Sequence, residues 1–243
     1  MIVWSEKSIE LMCDFASYTH FYEELAKAIA PYIQKGGSVC DAGCGLGFLG
    51  AELARYGFTV SGVEKDELAA ASAARLNEGA GHLKILCGDI KNLPPKEPYD
   101  AMVFCFFGDV FESLRLAKQQ CKEEGRAILI KRDLTARRFS LKPTEVRTHT
   151  LSDTETRLTN ARIPFEHFLL SLEAGQPFRN KQAAMDFFSI YGGSTGHIDE
   201  EEVLLRLVEG QPPFPYYLPM ERKMGVIIIE TKNIEWSEKN EES

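Results

Sequence analysis

The stretch that decides the fold is VCDAGCGLGFLG, residues 39–50. The run over residues 38–42 is short, apolar and stopped by glycines, a pattern that predicts a β-strand rather than a helix. The glycines let the backbone adopt positive φ and approach a ligand closely. A helix beginning at Phe48 would point its free N–H groups at that ligand. A strand, a glycine loop and a helix in this order predict a ligand-binding site.

The alternation of strands and helices continues after this stretch. Helical segments are predicted over residues 48–56, 67–76 and 111–121, and further strands over residues 58–63, 83–87, 99–106 and 127–131, with Gly125 as a stop before the last of them. Crossovers of this length require parallel pairing. The apolar run over 127–130 lacks alternation, as expected when helices cover both faces. The sequence predicts an α/β fold with a doubly wound, mostly parallel sheet.

The regions that flank this core are less regular. Residues 1–35 are predicted to form a helical cap, with Pro31 kinking or ending the helical pattern. In the half that follows the core, over 132–231, we expect a helix capped by Ser152, a strand over 165–173, a helix over 200–208 and a last strand over 224–230. The aromatic and proline-rich residues 174–223 are too long for an ordinary connection, which suggests a lid. Residues 232–243 form a polar tail, and a single domain over 1–243 is expected.

Composition narrows the class of partner. The net charge of −8 argues against a nucleic-acid partner, because phosphate binding usually needs a basic face. The chain has no apolar run near the roughly 18 residues that cross a bilayer and no signal-peptide core, so we expect a cytoplasmic protein without a membrane partner. Six cysteines without metal-ligand spacing predict free thiols and no metal site.

One stretch departs from the acidic average. Its basic residues are Arg126, Lys131, Arg132, Arg137, Arg138, Lys142 and Arg147. Only Asp133 and Glu145 oppose them, so the local charge is positive. In such sheets ligands bind outside the carboxyl ends of the strands, where this stretch begins. A cationic rim there would favour an acidic small-molecule substrate, although a solvated face that pairs with the chain's acids explains the charge equally well.

Residues 41–47, DAGCGLG, resemble the first motif of the class I S-adenosylmethionine-dependent methyltransferases, D-x-G-x-G-x-G. The likeness continues at Glu64, at GDI over 88–90 and at Tyr99-Asp100, where the fourth strand opens. It covers about residues 20–131 in order and spacing. The resemblance implies a Rossmann-like, seven-stranded sheet whose late strands form an antiparallel pair, and S-adenosylmethionine (SAM) as the cofactor.

The resemblance also implies roles for individual residues. Gly43, Gly45 and Gly47 would pass under the methionine part of SAM, with Asp41 organising their loop. Glu64 would accept hydrogen bonds from both ribose hydroxyls, because a carboxylate offers two acceptor oxygens. The remaining candidate contacts are Asp89 for the adenine amino group, Ile90 and Lys65 beside the ring, Phe106 at the end of the fourth strand, and Tyr18 and Tyr22 near the carboxylate of SAM.

Two alternatives stay open. Gly45, Gly47 and Gly50 also match the G-x-G-x-x-G pattern of dinucleotide-binding proteins, and Glu64 stands near the acidic position about 20 residues further on. The chain could therefore be an NAD-dependent oxidoreductase, but Gly45 lies several residues past the apolar run and Asp41 would have no role. It could also bind SAM without catalysis, as a sensor or scaffold.

Methyl transfer from SAM is an in-line displacement, so the protein need mainly hold the reacting atoms collinear and exclude water. Residues 105–109 are CFFGD rather than the N-P-P-Y type motif of amide-nitrogen methylation. His20 and Asp109 are the candidate bases, and a structural role for His20 competes with the catalytic one. The acceptor is expected to be a small organic molecule.

Overall fold

The computed structural model describes residues 4–133, 149–191 and 199–235. These residues group into two compact units, one of which contains 22–133, 149–170 and 223–235, and the other 4–21, 171–191 and 199–222. The single domain expected from the sequence stays a prediction. No helix in the described part of the chain is long and apolar enough to span a membrane.

The larger unit is built on a seven-stranded sheet. Its strands are β1 (Ser38–Ala42), β2 (Thr59–Glu64), β3 (Leu83–Cys87), β4 (Tyr99–Cys105), β5 (Cys121–Arg132), β6 (Glu166–Glu173) and β10 (Glu221–Glu230). Their order across the sheet is β3-β2-β1-β4-β5-β10-β6. Strands β1 to β5 pair in parallel, and β10 pairs antiparallel with β5. The predicted mostly parallel α/β sheet with an antiparallel last strand is confirmed.

Helices separate these strands along the chain. They are α2 (Phe21–Ile29), α3 (Phe48–Arg55), α4 (Glu67–Leu76), α5 (Val110–Gln120) and α6 (Leu151–Asn160). The main core is formed by the apolar residues of β4 and β5, packed against α5 and the Leu151 and Leu158 side chains of α6. Strand order reverses between β1 and β4, which is where open α/β sheets bind ligands.

Several predicted boundaries were wrong. Gly125 lies within β5 and does not precede it, and the β4–β5 register shifts beside it, between Tyr99 and Ala101. A Cβ on Gly125 would lie 2.9 Å from the Lys122 carbonyl oxygen, so the close backbone approach accounts for the glycine. Thr150, not Ser152, caps α6 by accepting a hydrogen bond from the Asp153 N–H.

The other boundary corrections concern the ends of the chain. The N-terminal helical pattern breaks at Thr19, where α1 (Glu6–Tyr18) is capped, in addition to ending at Ile29 just before Pro31. The helix predicted over 200–208 is only α8 (Glu200–Leu204), because Val208 and Glu209 pair as a strand.

The smaller unit has its own hydrophobic core. It contains α1, α7 (Lys181–Tyr191), α8 and a three-stranded sheet of β7 (Gln176–Phe178), β8 (Val208–Glu209) and β9 (Tyr216–Leu218), with β9 in the centre. Phe178, Phe187 and Phe188 are buried together with Leu11 of α1. The aromatic residues that suggested a lid therefore pack as the core of this unit.

A bidentate ion pair ties α1 to the segment after β7. Arg179 donates from Nη2 and Nε to the two carboxylate oxygens of Asp14, at 2.6 and 3.1 Å. The Arg179 guanidinium also lies 4.8 Å from the centre of the Phe214 ring. These contacts and the aromatic core account for the compactness of this unit.

We expect Gly225→Ala to lower the free energy of unfolding by about 1–3 kcal/mol, because overpacking a close-packed core forces neighbours to move. A Cβ on Gly225 in β10 would lie 2.3 Å from Cδ1 of the buried Leu151. Leu151→Ala should remove most of that cost, so the double variant should be more stable than the sum of the two single losses implies.

Urea unfolding of the wild type, the two single variants and the double variant measures the coupling between Gly225 and Leu151. Leu158→Ala is the matched control, because it lies on the same helix about 10 Å further along the axis and should combine additively with Gly225→Ala. Additive losses for Gly225 and Leu151 would contradict the packing described here.

Candidate functional site

The glycine loop connects β1 to α3 at the point where the strand order reverses. Gly43, Gly45 and Gly47 have φ of +70°, +55° and +75°, a region that side chains with a Cβ rarely adopt. Gly47 also precedes α3 as its N-cap residue without a side-chain cap. The alternating glycines are therefore required by the backbone path of the loop.

Hydrogen bonds from β2 and α4 hold this loop in place. The N–H groups of Gly43 and Cys44 both donate to the Val63 carbonyl oxygen, at 2.8 and 3.0 Å. On the other side, Nδ2 of Asn77 donates to the Leu46 carbonyl oxygen at 2.9 Å. Sequence reasoning missed Asn77, because it lies at the end of α4 and only the tertiary fold brings it behind the loop.

Glu64 ends β2 with a buried carboxylate that joins two loops. Its Oε2 accepts from the Gly45 N–H at 3.0 Å and its Oε1 from the Asp66 N–H at 2.9 Å. Each carboxylate oxygen has two acceptor sites, so each retains one for a further donor. Glu64 therefore organises the glycine loop, a role not expected from the sequence, and keeps acceptor capacity for two hydroxyl groups.

Asp41 lies beneath the same loop and is 1% exposed. Its carboxylate accepts a hydrogen bond from the Gly50 N–H in the first turn of α3, while Oδ2 has no hydrogen-bond partner among the residues that the structure describes. Burial raises the pKa of Asp41 to about 7, and the nearby charge of Glu64 adds to the effect. The contact with α3 fits the role of organising the loop.

The loop after β3 carries two further candidates. Asp89 is exposed, and its Oδ1 accepts from the Lys91 N–H at 2.9 Å to start a short turn. Ile90 is buried in the main core, and its carbonyl oxygen accepts from Nε2 of Gln120. Lys65, next to Glu64, is exposed. Asp89 and Lys65 are thus open to solvent, whereas the Ile90 side chain mainly serves core packing.

The loop after β4 lies against the glycine loop. A Cβ on Gly43 would lie 2.9 Å from Cδ2 of the Phe107 ring, so the absence of a side chain at Gly43 allows this contact. Phe106 adopts φ +53°, which is uncommon for a residue with a side chain, and the Arg132 guanidinium lies 4.9 Å from the centre of its ring. The carboxyl ends of β1, β4 and β5 therefore meet in one set of contacts.

Asp109 is engaged by several donors. It caps α5 by accepting from the N–H groups of Phe111 and Glu112, and its Oδ2 pairs with Nη1 of Arg157. Partial burial by itself would raise the pKa of Asp109, but the Arg157 hydrogen bond and charge and the backbone amides outweigh it and hold the pKa below its usual value. A carboxylate in this setting is a weak base, which disfavours the catalytic role considered for Asp109.

His149 and Arg157 belong to the same cluster, and sequence reasoning had singled out neither. Nδ1 of His149 lies 3.6 Å from Oδ2 of Asp109. Arg157 also lies over the Phe111 ring, 4.5 Å from its centre. Both residues follow Asp109 by at least 40 positions, and no local spacing signal links them to it.

The described residues of the basic stretch are Arg126, Lys131 and Arg132, and their side chains have different surroundings. Nη1 of Arg126 donates to the Tyr32 carbonyl oxygen at 2.7 Å, and Lys131 is 2% exposed, so neither adds a free cation to a rim. Arg132 is exposed. The other basic residues, Arg137, Arg138, Lys142 and Arg147, lie outside the described residues.

The N-terminal candidates divide between the units. In the larger unit, the Tyr22 ring centre lies 5.5 Å from that of Phe48, the first residue of α3, so Tyr22 is adjacent to the end of the glycine loop. In the smaller unit, Tyr18 packs against Phe214 and Tyr217, and its hydroxyl accepts from the Gln211 N–H. His20 is exposed and belongs to the smaller unit as well.

Known proteins share this arrangement. A family model described as a methyltransferase domain matches residues 39–129, from β1 to β5. No curated protein matches the chain. The YcgJ protein from Bacillus subtilis is 14% identical, with a TM-score of 0.52 over 87% of this chain and 98% of its own.

Two further solved structures are comparable. A candidate methyltransferase from Bacillus halodurans C-125 is 14% identical, with a TM-score of 0.52 over 86% of this chain and 98% of its own. YjhP from E. coli is 14% identical, with a TM-score of 0.51 over 86% of this chain and 91% of its own. At these identities the likeness shows the fold.

The strand order defines a Rossmann-like α/β fold, which the chain shares with these solved structures. The match of residues 39–129 to a methyltransferase domain model agrees with the motif resemblance.

The buried Asp41 carboxyl makes stability depend on pH. In the folded protein the pKa of Asp41 is about 7, above the ordinary value of 3.8. The stability that the protonated carboxyl contributes is therefore fully present below pH 4 and is lost as the pH rises through 7. Asp41→Asn cannot ionise and keeps an oxygen for the Gly50 N–H. Between pH 5 and 8, the wild type should lose on the order of 2 kcal/mol of unfolding free energy relative to this variant.

Asp100→Asn is the matched control. The pKa of Asp100 is lowered, because the Lys122 and Ser38 hydrogen bonds outweigh its burial, so its contribution is lost only at acidic pH. Denaturant unfolding at several pH values should show that the unfolding free energies of the wild type and Asp100→Asn differ by a constant amount from pH 5 to 8. A constant difference for Asp41→Asn too would mean that Asp41 is ionised as readily in the folded chain as in the unfolded one.

Proposed function

We propose that this protein is a SAM-dependent methyltransferase that transfers a methyl group to a small-molecule acceptor by in-line displacement. One observation carries the proposal: the buried Asp41 carboxylate, at the end of β1, accepts a hydrogen bond from the Gly50 N–H in the first turn of α3. The charge at the base of the loop then decides which cofactor the loop can hold.

The acids below the loop favour a cationic cofactor. A dinucleotide places its pyrophosphate on the free N–H groups of the glycine loop and the following helix. Here Gly45 and Gly50 already donate these groups to Glu64 and Asp41. The buried Glu64 carboxylate, together with Asp41 where it is ionised, would repel a pyrophosphate and attract the sulfonium and ammonium groups of SAM. This arrangement disfavours the NAD-dependent oxidoreductase.

The residues present fit SAM by their chemistry. Glu64 retains one acceptor site on each oxygen for the two ribose hydroxyls, and the exposed Asp89 carboxylate can accept from an adenine amino group. Gly43 and Gly45 adopt positive φ, a conformation that lets the loop backbone approach a ligand closely. Lys65, Phe106 and Tyr22 are further proposed contacts, and Tyr18 is proposed only on the family resemblance.

When bound, SAM supplies a methyl group on a sulfonium, which needs no nucleophile from the protein. The chain's own contribution is then orientation and exclusion of water. Phe106 and Phe107 provide apolar rings at the carboxyl end of β4, where they can exclude water from a bound ligand. Glu64 and the loop hold the cofactor in a fixed position. No base is assigned, because the Asp109 carboxylate is already held by Arg157.

The acceptor is proposed to carry an acidic group. The support is Arg132, an exposed guanidinium at the carboxyl end of β5 whose position is fixed over the Phe106 ring. A cation at this edge attracts an anionic group on a protein that is acidic overall. A SAM-binding protein without catalysis would bind the cofactor equally well and show no turnover with any acceptor.

Glu64→Gln tests the proposed cofactor. The amide has one acceptor oxygen and cannot serve Gly45, Asp66 and two hydroxyls together, so affinity for S-adenosylhomocysteine should fall by about 1.5–3 kcal/mol, or roughly 10- to 150-fold. Isothermal titration measures the affinity. Glu67→Gln, an exposed acid three residues on, is the control and should bind like the wild type.

Titration of the same preparations with NAD and NADH completes the test. Tight binding of a nicotinamide dinucleotide with no binding of SAM or S-adenosylhomocysteine would overturn the proposal.

A further inference from the structure

A lysine side chain is buried at the end of β5. Lys131 is 2% exposed, and its ammonium donates from Nζ to the carbonyl oxygens of Phe107 at 2.8 Å and of Gly108 at 2.9 Å. Burying a charged amine is costly unless its donors are satisfied. Two of its three N–H groups are used on the backbone of one loop, the loop that follows β4.

That loop is one wall of the candidate site. A Cβ on Gly43 would lie only 2.9 Å from Cδ2 of the Phe107 ring, and this ring also packs against Phe104, with ring centres 5.6 Å apart. Gly43 is the first residue of the glycine loop. A chain of direct contacts therefore runs from the Lys131 ammonium through the Phe107 backbone and ring to the glycine loop.

We propose that Lys131 is a positioning residue that holds the loop after β4 against the glycine loop, and that its protonation controls the affinity for the cofactor. The inference rests on the proposed function, since the cofactor is taken to be SAM. Lys131 acts through Phe107 and needs no contact with the cofactor itself.

The surroundings of Lys131 set the pH at which this contact changes. Burial is the main cause that lowers its pKa from 10.5 to about 8; Asp109 and Asp153 raise the pKa and Arg157 lowers it. His149 lies 3.6 Å from Asp109, and on β10 the uncharged Gly225 pairs with Lys131. The ammonium therefore loses its proton in a range where most lysines keep theirs.

Loss of the proton weakens the contact with the loop. Hydrogen bonds from an ammonium are roughly twice as strong as those from a neutral donor, so both bonds to the loop carbonyls weaken above pH 8. The loop after β4 would then be held less firmly against the glycine loop, in the arrangement that binds the cofactor. Affinity for the cofactor should fall as the pH rises through about 8.

The experiment measures the binding of S-adenosylhomocysteine by isothermal titration at pH 6.5, 7.5, 8.5 and 9.5, for the wild type, Lys131→Met and Lys84→Met. Titrations of the ligand and of Asp41 are common to all three proteins, so the ratio of dissociation constants isolates Lys131. We expect Lys131→Met to bind about tenfold more weakly at pH 6.5, and this ratio to shrink towards one at pH 9.5. Lys84→Met, at an exposed lysine on β3, should match the wild type at every pH.

A second variant keeps the test decisive if Lys131→Met does not fold. Asp109→Asn retains an oxygen for capping α5 and removes a charge that raises the pKa of Lys131, so the fall in wild-type affinity should move to lower pH. A ratio for Lys131→Met that is constant over the whole pH range, or a midpoint unmoved in Asp109→Asn, would overturn the inference. Absence of S-adenosylhomocysteine binding by the wild type at every pH would instead refute the proposed function.

Discussion

The Asp41 carboxylate, buried at the end of β1, binds the first turn of α3 through the Gly50 N–H. This contact fixes the first turn of α3 relative to the end of β1, and the glycine loop connects these two elements. Because Gly50 has no side chain, α3 also approaches β2 and β3 closely, where a Cβ would lie 3.1 Å from Leu83. The contacts of Glu64 and Asn77 then hold the loop that starts from this junction.

A buried acid at this junction is costly, since ionised groups lose hydration and Oδ2 has no hydrogen-bond partner among the described residues. Glu64, also buried, adds a like charge nearby. The site thus holds negative charge that the folded chain only partly compensates. The proposed cationic cofactor would relieve it, and stability and cofactor affinity would then be linked at the same residue.

Much of the sheet could be predicted from the sequence. The bounds of β1, β3 and α4 were right, because glycines or prolines stop short apolar runs and alanines favour a helix in residues 67–76. The errors occurred where tertiary contacts override local preference. Gly125 accommodates a register shift within β5, and Val208 pairs with Tyr217 rather than extending a helix.

Part of the candidate site could also be predicted from local sequence patterns. Asp41, Glu64 and the glycines share a local pattern with a known motif, so sequence spacing is enough to propose them as site residues. Asn77, Arg157 and the two bonds of Lys131 depend on residues that only the folded sheet brings together. Arg126 and Lys131 also show that a run of basic residues does not predict a basic surface, since strand geometry points successive side chains in different directions.

The double contact of Glu64 has one more consequence. By accepting from both Gly45 and Asp66, it fixes the two backbone segments that flank the candidate ribose site during folding itself. The conformational entropy of ordering these segments is then lost when the chain folds and not when a ligand arrives. A ligand meets a preorganised surface, so few torsions remain to be frozen and most of its contact energy is retained as affinity.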